Sequence, residues 1–241
     1  VNFKSAEKMK NRLSILLICL LVVVLGTLIF NYLNTMAVKT DNMTAIKYVA
    51  LGDSFTIGLG VNENERWPNM LVDDLTKKGI DIKLEANPAV SGHTVKDVDY
   101  FQLPVIKEAQ PDLITVFIGT NDNFNQRKPA EFKSDFVKLL DNLQSMINKS
   151  AKVIVVTIPD YSKSPGMIYD GSDIARSIRE YNDIIISESK KRNFHVANIY
   201  PISQKMTGKS DYIADGIHPS RDGYVKWKNI ILESVVKELF R

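Results

Sequence analysis

Cysteine is nearly absent from this chain: its 241 residues include one, Cys19, which sits inside an apolar run as a hydrophobic filler. The rest of the chain can therefore form no disulfide, offers no cysteine-based zinc site and has no thiol nucleophile. Histidine is almost as scarce, with His93, His195 and His218 at widely separated positions. Basic clusters are missing as well. The formal charge is +3, but Lys4, Lys8, Lys10, Arg12 and Lys39 against Glu7 place a net +4 in residues 1–40, which leaves −1 for residues 41–241. A near-neutral domain without a cationic stripe gives no electrostatic reason to expect nucleic acid as a partner. Internal repeats and low-complexity linkers are also lacking, and no second long apolar run comes after the first.

That first run is the dominant N-terminal feature. Leu13 to Phe30 is interrupted only by Ser14, Gly26 and Thr27. At about 1.5 Å per helical residue, and with help from Asn31-Tyr32-Leu33, it is long enough to span most of a bilayer. A buried core helix would carry polar residues at helical spacing, and this stretch carries almost none. Lys4, Lys8, Lys10 and Arg12 precede it, a bias that holds the N-terminus in the cytoplasm and exports the residues C-terminal to the run. The expected organisation is a cytoplasmic basic segment over 1–12, a transmembrane signal anchor over 13–33, a polar tether over 34–44 and one domain over 45–241, held at the cell membrane outside the cytoplasm. Cleavage near Thr35-Met36-Ala37 and secretion is the alternative. The run exceeds the roughly 7 to 15 residues of a signal-peptide core, which favours retention.

Residues 45–241 are enough for one substantial core. Strand-like runs occur at Lys47 to Leu51, Ile82 to Ala86, Leu113 to Ile118, Val153 to Ile158 and His195 to Ala197. Helical periodicity fills the intervals at Trp67 to Lys78, Ala130 to Ile147, Ile174 to Lys191 and Tyr224 to Leu239. Such alternation predicts a parallel sheet with helices on both faces, joined by right-handed crossovers. Stripes such as Phe132, Phe136, Leu139 and Leu140 are core positions, and Trp67 and Trp227 are expected to pack.

Chemistry is concentrated in four short segments: Gly52-Asp53-Ser54, Ser91-Gly92, Gly119-Thr120-Asn121-Asp122 and Asp215-Gly216-Ile217-His218-Pro219. Acyl transfer through a covalent intermediate needs a hydroxyl nucleophile, a base, a group that orients the base, and donors for the oxyanion. Ser54 comes after an apolar strand and precedes a Gly-bearing stretch, so it is placed at a strand end, where ligands bind in open α/β sheets. Asp215 lies three residues before His218, close enough for its carboxylate to accept from Nδ1 and leave Nε2 facing the serine. The backbone N–H groups of Ser54 and Gly92 and the side-chain amide of Asn121 are the candidate oxyanion donors. His93 and His195 fall outside this scheme; a local hydrogen bond is expected for the first and a structural place for the second.

In these segments the chain resembles the SGNH hydrolases, also called GDSL esterases and lipases. The family's blocks correspond in order to Gly-Asp-Ser at Ser54, Asn87-Pro88-Ala89-Val90-Ser91-Gly92, Gly119-Thr120-Asn121-Asp122 and Asp215-Gly216-Ile217-His218-Pro219. Phe55 stands where Leu often comes after the serine, and Pro88 is a further variation, in the loop carrying Gly92. The resemblance runs from about Lys47 to the C-terminus. It implies a three-layer α/β/α fold with a five-stranded parallel sheet in flavodoxin-like order. It further implies a Ser54-His218-Asp215 triad, an oxyanion hole completed by Gly92 and Asn121, and no cofactor or metal.

A long polar loop from Ile158 to Gly171, together with Asn123, Phe124 and Arg127, is the expected substrate wall. The favoured activity is hydrolysis of carboxylic esters with short or medium acyl groups, or of lysophospholipids, through an acyl-enzyme on Ser54. Removal of O-acetyl groups from carbohydrates by the same mechanism is the alternative. A metal-dependent phosphoesterase built on Asp53, Asn121, Asp122, Asp215 and His218 is a weaker reading, since it needs a fuller set of metal ligands. A non-catalytic module that binds lipid or acylated glycan is weaker still, because binding has no need for an acid-oriented base.

Overall fold

The computed structural model describes residues 16–18, 20–32, 45–167 and 171–241, and the chain divides into two units, Val1–Thr44 and Ala45–Arg241. In the first unit, 16–18 and 20–32 are helical and their large apolar side chains are exposed. Among the described residues no helix is long and apolar enough to cross a membrane. The span expected over 13–33 includes 13–15, 19 and 33, which lie outside the described residues, as do the basic segment 1–12 and the tether 34–44.

The second unit is a three-layer α/β/α structure. Its strands are β1 (Ile46–Gly52), β2 (Ile82–Ala86), β3 (Leu113–Phe117), β4 (Lys152–Val156) and β5 (His195–Ala197). All pairings are parallel, in the order β2-β1-β3-β4-β5, the flavodoxin-like order that the resemblance implies. The helices of this unit are numbered from its own start: α1 (Ser54–Ile57), α2 (Trp67–Lys77), α3 (Val95–Asp97), α4 (Leu103–Ala109), α5 (Thr120–Phe124), α6 (Pro129–Met146), α7 (Ser172–Lys191), α8 (Tyr200–Ser203) and α9 (Arg221–Leu239). A single π turn, Val98–Gln102, separates α3 from α4.

Side-chain alternation along the strands explains the layers. Val49, Leu51, Ile114, Val116, Val153 and Val155 face one way and pack on Phe132, Phe136 and Leu140 of α6 and Ile178 and Ile185 of α7. Tyr48, Ala50, Leu113, Phe117, Ile154 and Val156 face the other way and meet Trp67 and Leu71 of α2 and Trp227 and Ile231 of α9. Strands buried on both faces read as continuous apolar runs, which is why these were visible in the sequence. The short α1, α3, α4, α5 and α8 were not anticipated. Each is too brief to establish a helical period, and α1 and α5 begin where a strand has just ended.

Candidate active site

Strand register brings two of the four segments to one edge. Gly52 pairs with Phe117 at the ends of β1 and β3, so the turns beginning at Asp53 and Gly119 emerge side by side. At Gly52 an added Cβ would lie 2.2 Å from Thr56 Oγ1 and 2.6 Å from the Phe117 carbonyl, so the chain can pass there only as glycine. Asp53 then caps α1, accepting from Phe55 N–H at 3.0 Å. Ser54 opens the helix, buried, with an N–H that has no intrahelical acceptor.

The Asp215-to-His218 segment is closed on itself. Asp215 Oδ1 accepts from Ile217 N–H at 2.8 Å and from His218 N–H at 2.9 Å. Asp215 Oδ2 takes a 2.7 Å hydrogen bond from His218 Nδ1. With Nδ1 donating, Nε2 is left as an acceptor, and it lies 2.9 Å from Ser54 Oγ across a sequence separation of 164. Burial pushes the Asp215 carboxyl up, but the hydrogen bonds from Ile217 N–H, the His218 ring and His218 N–H outweigh it and hold the group below the usual carboxylate range. Two neighbours keep this loop in place. Gly166 N–H donates to the Gly216 carbonyl at 3.0 Å, and a Cβ on Gly216, whose φ is +68°, would fall 2.4 Å from Gly166 N. Phe55, read from the sequence only as a variation on the family block, packs its ring 5.2 Å from the His218 ring and also meets Phe117 and Trp227.

Gly92 lies in an exposed turn with φ +84° and no atom within 4 Å of a would-be Cβ, so its surroundings are open. Its loop is tied to the Asn121 segment twice. Asn121 Nδ2 donates to the His93 carbonyl at 2.8 Å, and Asp122 Oδ2 accepts from Val95 N–H at 2.9 Å. Asn121 Nδ2 also donates to Asp53 Oδ2 at 3.3 Å, so both amide hydrogens point at protein acceptors and the Asp53 bond is the longer. Arg127, expected on the pocket wall, lines a cavity of about 570 Å³ with Asn123, Gln126, Ile174 and Ser177, and its guanidinium is committed to ion pairs with Asp122, at 2.6 Å, and with Asp135. A guanidinium is drawn to the nearest buried carboxylate, and Asp122 is fully buried.

Asn123 and Phe124 differ in what they can offer. Asn123 is buried, its Nδ2 donating to Ser177 Oγ at 2.7 Å and its Oδ1 accepting from Tyr161 OH at 2.6 Å, so its polar atoms are already engaged. Phe124 is exposed and, with Tyr161, Gly166, Met167, Ile174 and Ile217, lines a mainly apolar pocket of about 420 Å³ beside the His218 loop. Among the described residues no three His, Cys, Asp or Glu side chains are grouped so as to hold a metal ion.

The family model for the GDSL-like lipase/acylhydrolases matches residues 50–226, which contain all four segments. The chain belongs to that family. Among its relatives, a multidomain esterase of Ruminococcus flavefaciens is 32% identical over 133 residues, covering 54% of this chain but only 16% of that protein. An arylesterase of Vibrio mimicus is 24% identical over 198 residues, covering 80% of this chain and 90% of the relative. Among solved structures, Axe2, an acetylxylan esterase from Geobacillus stearothermophilus, superposes with a TM-score of 0.65 at 18% identity, over 80% of this chain and 94% of Axe2. That likeness concerns the fold.

Asp53 gives this GDSL-like domain a distinctive pH dependence. It is fully buried, and its carboxyl is pushed up to about 7, first by burial, with the Phe55 N–H bond opposing and the charge of Asp122 adding. The native state therefore holds a proton that the unfolded chain releases between 3.8 and about 7. The corresponding stability is complete at the acid end of that window and is lost as pH rises through it. Asp53→Asn keeps an oxygen for Phe55 N–H but sets an amide against Asn121. It is expected to lower stability overall while removing this fall, read from urea midpoints between about pH 4 and 8. A slope identical to the parent's would show that Asp53 does not titrate there.

Proposed function

We propose that the domain is a serine ester hydrolase acting through an acyl-enzyme on Ser54. The observation that carries this reading is His218 standing between Ser54 Oγ at 2.9 Å and Asp215 Oδ2 at 2.7 Å. Nε2 takes the hydroxyl proton as Oγ attacks the ester carbon, and returns it to the departing alkoxide. Water then repeats the sequence in reverse order, releasing the acid and free Ser54. The oxyanion is received by Ser54 N–H, Gly92 N–H and Asn121 Nδ2, whose long bond to Asp53 is the one exchanged for the substrate. No cofactor takes part in these steps.

Short or medium acyl esters, or lysophospholipids, are the proposed substrates. In support, the 420 Å³ pocket beside Ile217 is lined mainly by apolar side chains. Five exposed hydrophobic side chains, Leu59, Val90, Tyr100, Phe101 and Phe124, also lie on segments C-terminal to β1, β2 and β3. Hydrolysis of p-nitrophenyl esters from acetyl to palmitoyl, with chelator present and Ser54→Ala as control, tests this. Turnover is expected to rise from acetyl to a medium chain and to survive chelation. Activity confined to acetyl would move the assignment to carbohydrate O-acetyl esters, and loss on chelation would refute the serine mechanism.

The apolar run from Leu13 to Leu33 and the cations before it support a further proposal, that the domain is held at the cell membrane facing outward. The chain is then expected in the membrane fraction, with its domain open to external protease. Recovery of a shortened chain from the medium would favour secretion after cleavage.

A further inference from the structure

Gln102 is a neutral amide only 1% exposed, a placement that costs free energy unless every polar atom is matched. All of them are. Oε1 accepts from Gly52 N–H at 3.0 Å, and Nε2 donates to the Gly52 carbonyl at 2.8 Å. Nε2 also lies 2.9 Å from His93 Nδ1. The pairing of β1 with β2 ends at Val49 and Ala86, so beyond that point the Gln102 side chain takes the place of a neighbouring strand for Gly52. Gln102 reaches this position as the last residue of the π turn, where Val98 and Gln102 are buried while Tyr100 and Phe101 are exposed. Single π turns between α-helical stretches recur at functional sites because they re-aim side chains in this way.

The amide has only one workable orientation, since turning it over would set N–H against N–H and C=O against C=O at Gly52. Its second Nε2 hydrogen must then point at His93 Nδ1, which accepts it as a lone pair. With Nδ1 accepting, the His93 ring proton sits on Nε2, and the ring lies tilted against Phe101 with centroids 5.9 Å apart. One side chain thus grips Gly52, two residues before Ser54, and His93, the residue after Gly92. The His93 carbonyl in turn accepts from Asn121 Nδ2 at 2.8 Å.

We infer that Gln102 is a positioning residue that sets the Gly92 loop and the Asn121 amide in register with the Ser54 turn. The inference rests on the serine-hydrolase reading. Without this clamp the open loop at Gly92 drifts relative to Ser54, and preorganised donors lose their value steeply with displacement.

The test uses the whole chain and two readouts. Long-range proton–nitrogen spectra report the His93 tautomer without any substrate. Nδ1 is expected bare and Nε2 protonated in the parent, and a mixture of tautomers is expected in Gln102→Met. A parent in which Nδ1 carries the proton, or in which both forms exchange, would overturn the clamp. On p-nitrophenyl acetate, Gln102→Met is expected to lower kcat about 10-fold or more, with KM changed by less than about 2-fold. Combined with Asn121→Ala, its effect should be much smaller than the product of the two. A purely structural glutamine would lower the melting temperature and leave kcat and this coupling unmoved, which would refute the proposal.

If Gln102→Met fails to fold, His93 carries the test. His93→Asn keeps an acceptor near the Nδ1 position and is expected to retain kcat within about 3-fold, while His93→Phe is expected to lose about 10-fold or more. Equal rates in those two variants would overturn the role assigned to Gln102. Absence of Ser54-dependent turnover in the parent would sink the esterase reading, whereas the tautomer measurement decides the clamp on its own.

Discussion

Ser54→Ala, His218→Ala and the double variant are expected to fall to the same low rate on p-nitrophenyl acetate, a drop of about 10⁶-fold in kcat for each. In the proposed mechanism, nucleophile and base share one proton along the 2.9 Å contact between Ser54 Oγ and His218 Nε2. Losing either partner removes the whole acyl-enzyme route, so the second substitution has nothing further to take away. KM should change little, because neither group is needed to bind the ester. Burst measurements with a serine-directed phosphonate give an independent check: the parent is labelled stoichiometrically and Ser54→Ala is not. Multiplying effects in the double variant would mean that the two residues act in separate steps, and the mechanism would fail.

Asp215→Asn is the more discriminating substitution, with an expected loss of about 10⁴-fold in kcat. Its Oδ1 would still accept from Ile217 N–H and His218 N–H, so the loop should keep its shape. Its new amide, however, would present a donor to His218 Nδ1, where the carboxylate now accepts at 2.7 Å. The imidazole must answer with the opposite tautomer, which puts a proton on Nε2 facing Ser54 Oγ and leaves no base there. A crystal structure or backbone spectrum should thus be nearly unchanged while turnover collapses. Activity within about 10-fold of the parent would show that Asp215 does not set the tautomer.

Asp215 and His218 stand three residues apart and meet through local turn geometry, so spacing alone revealed their pairing. The central strands β1, β3 and β4 were equally visible, since burial on both faces leaves largely apolar runs such as Leu113 to Phe117. The sequence also pointed to Ser54 and Asn121, because each lies at a strand end, and to Gly92 through the family block that carries it. What it could not convey was the direction of their polar atoms. Asn121 turns its amide to Asp53 and His93, Asn123 spends its own on Tyr161 and Ser177, and Arg127 is drawn to Asp122 and Asp135. Gln102 carried no signal at all, being one polar residue in a helical stretch.

The amino-acid sequence by itself determined the layered α/β architecture, the order of the four segments and the candidates for the reacting groups. Those properties arise from hydrophobic periodicity and from the few side chains able to do this chemistry. The tertiary structure decided that Ser54 and His218 meet across 164 residues, that Asp53 is sealed from water and that Gln102 stands where β2 has ended. Each depends on how separate elements pack. A buried polar atom takes whichever partner that packing brings within reach, and no local pattern along the chain encodes which one it will be.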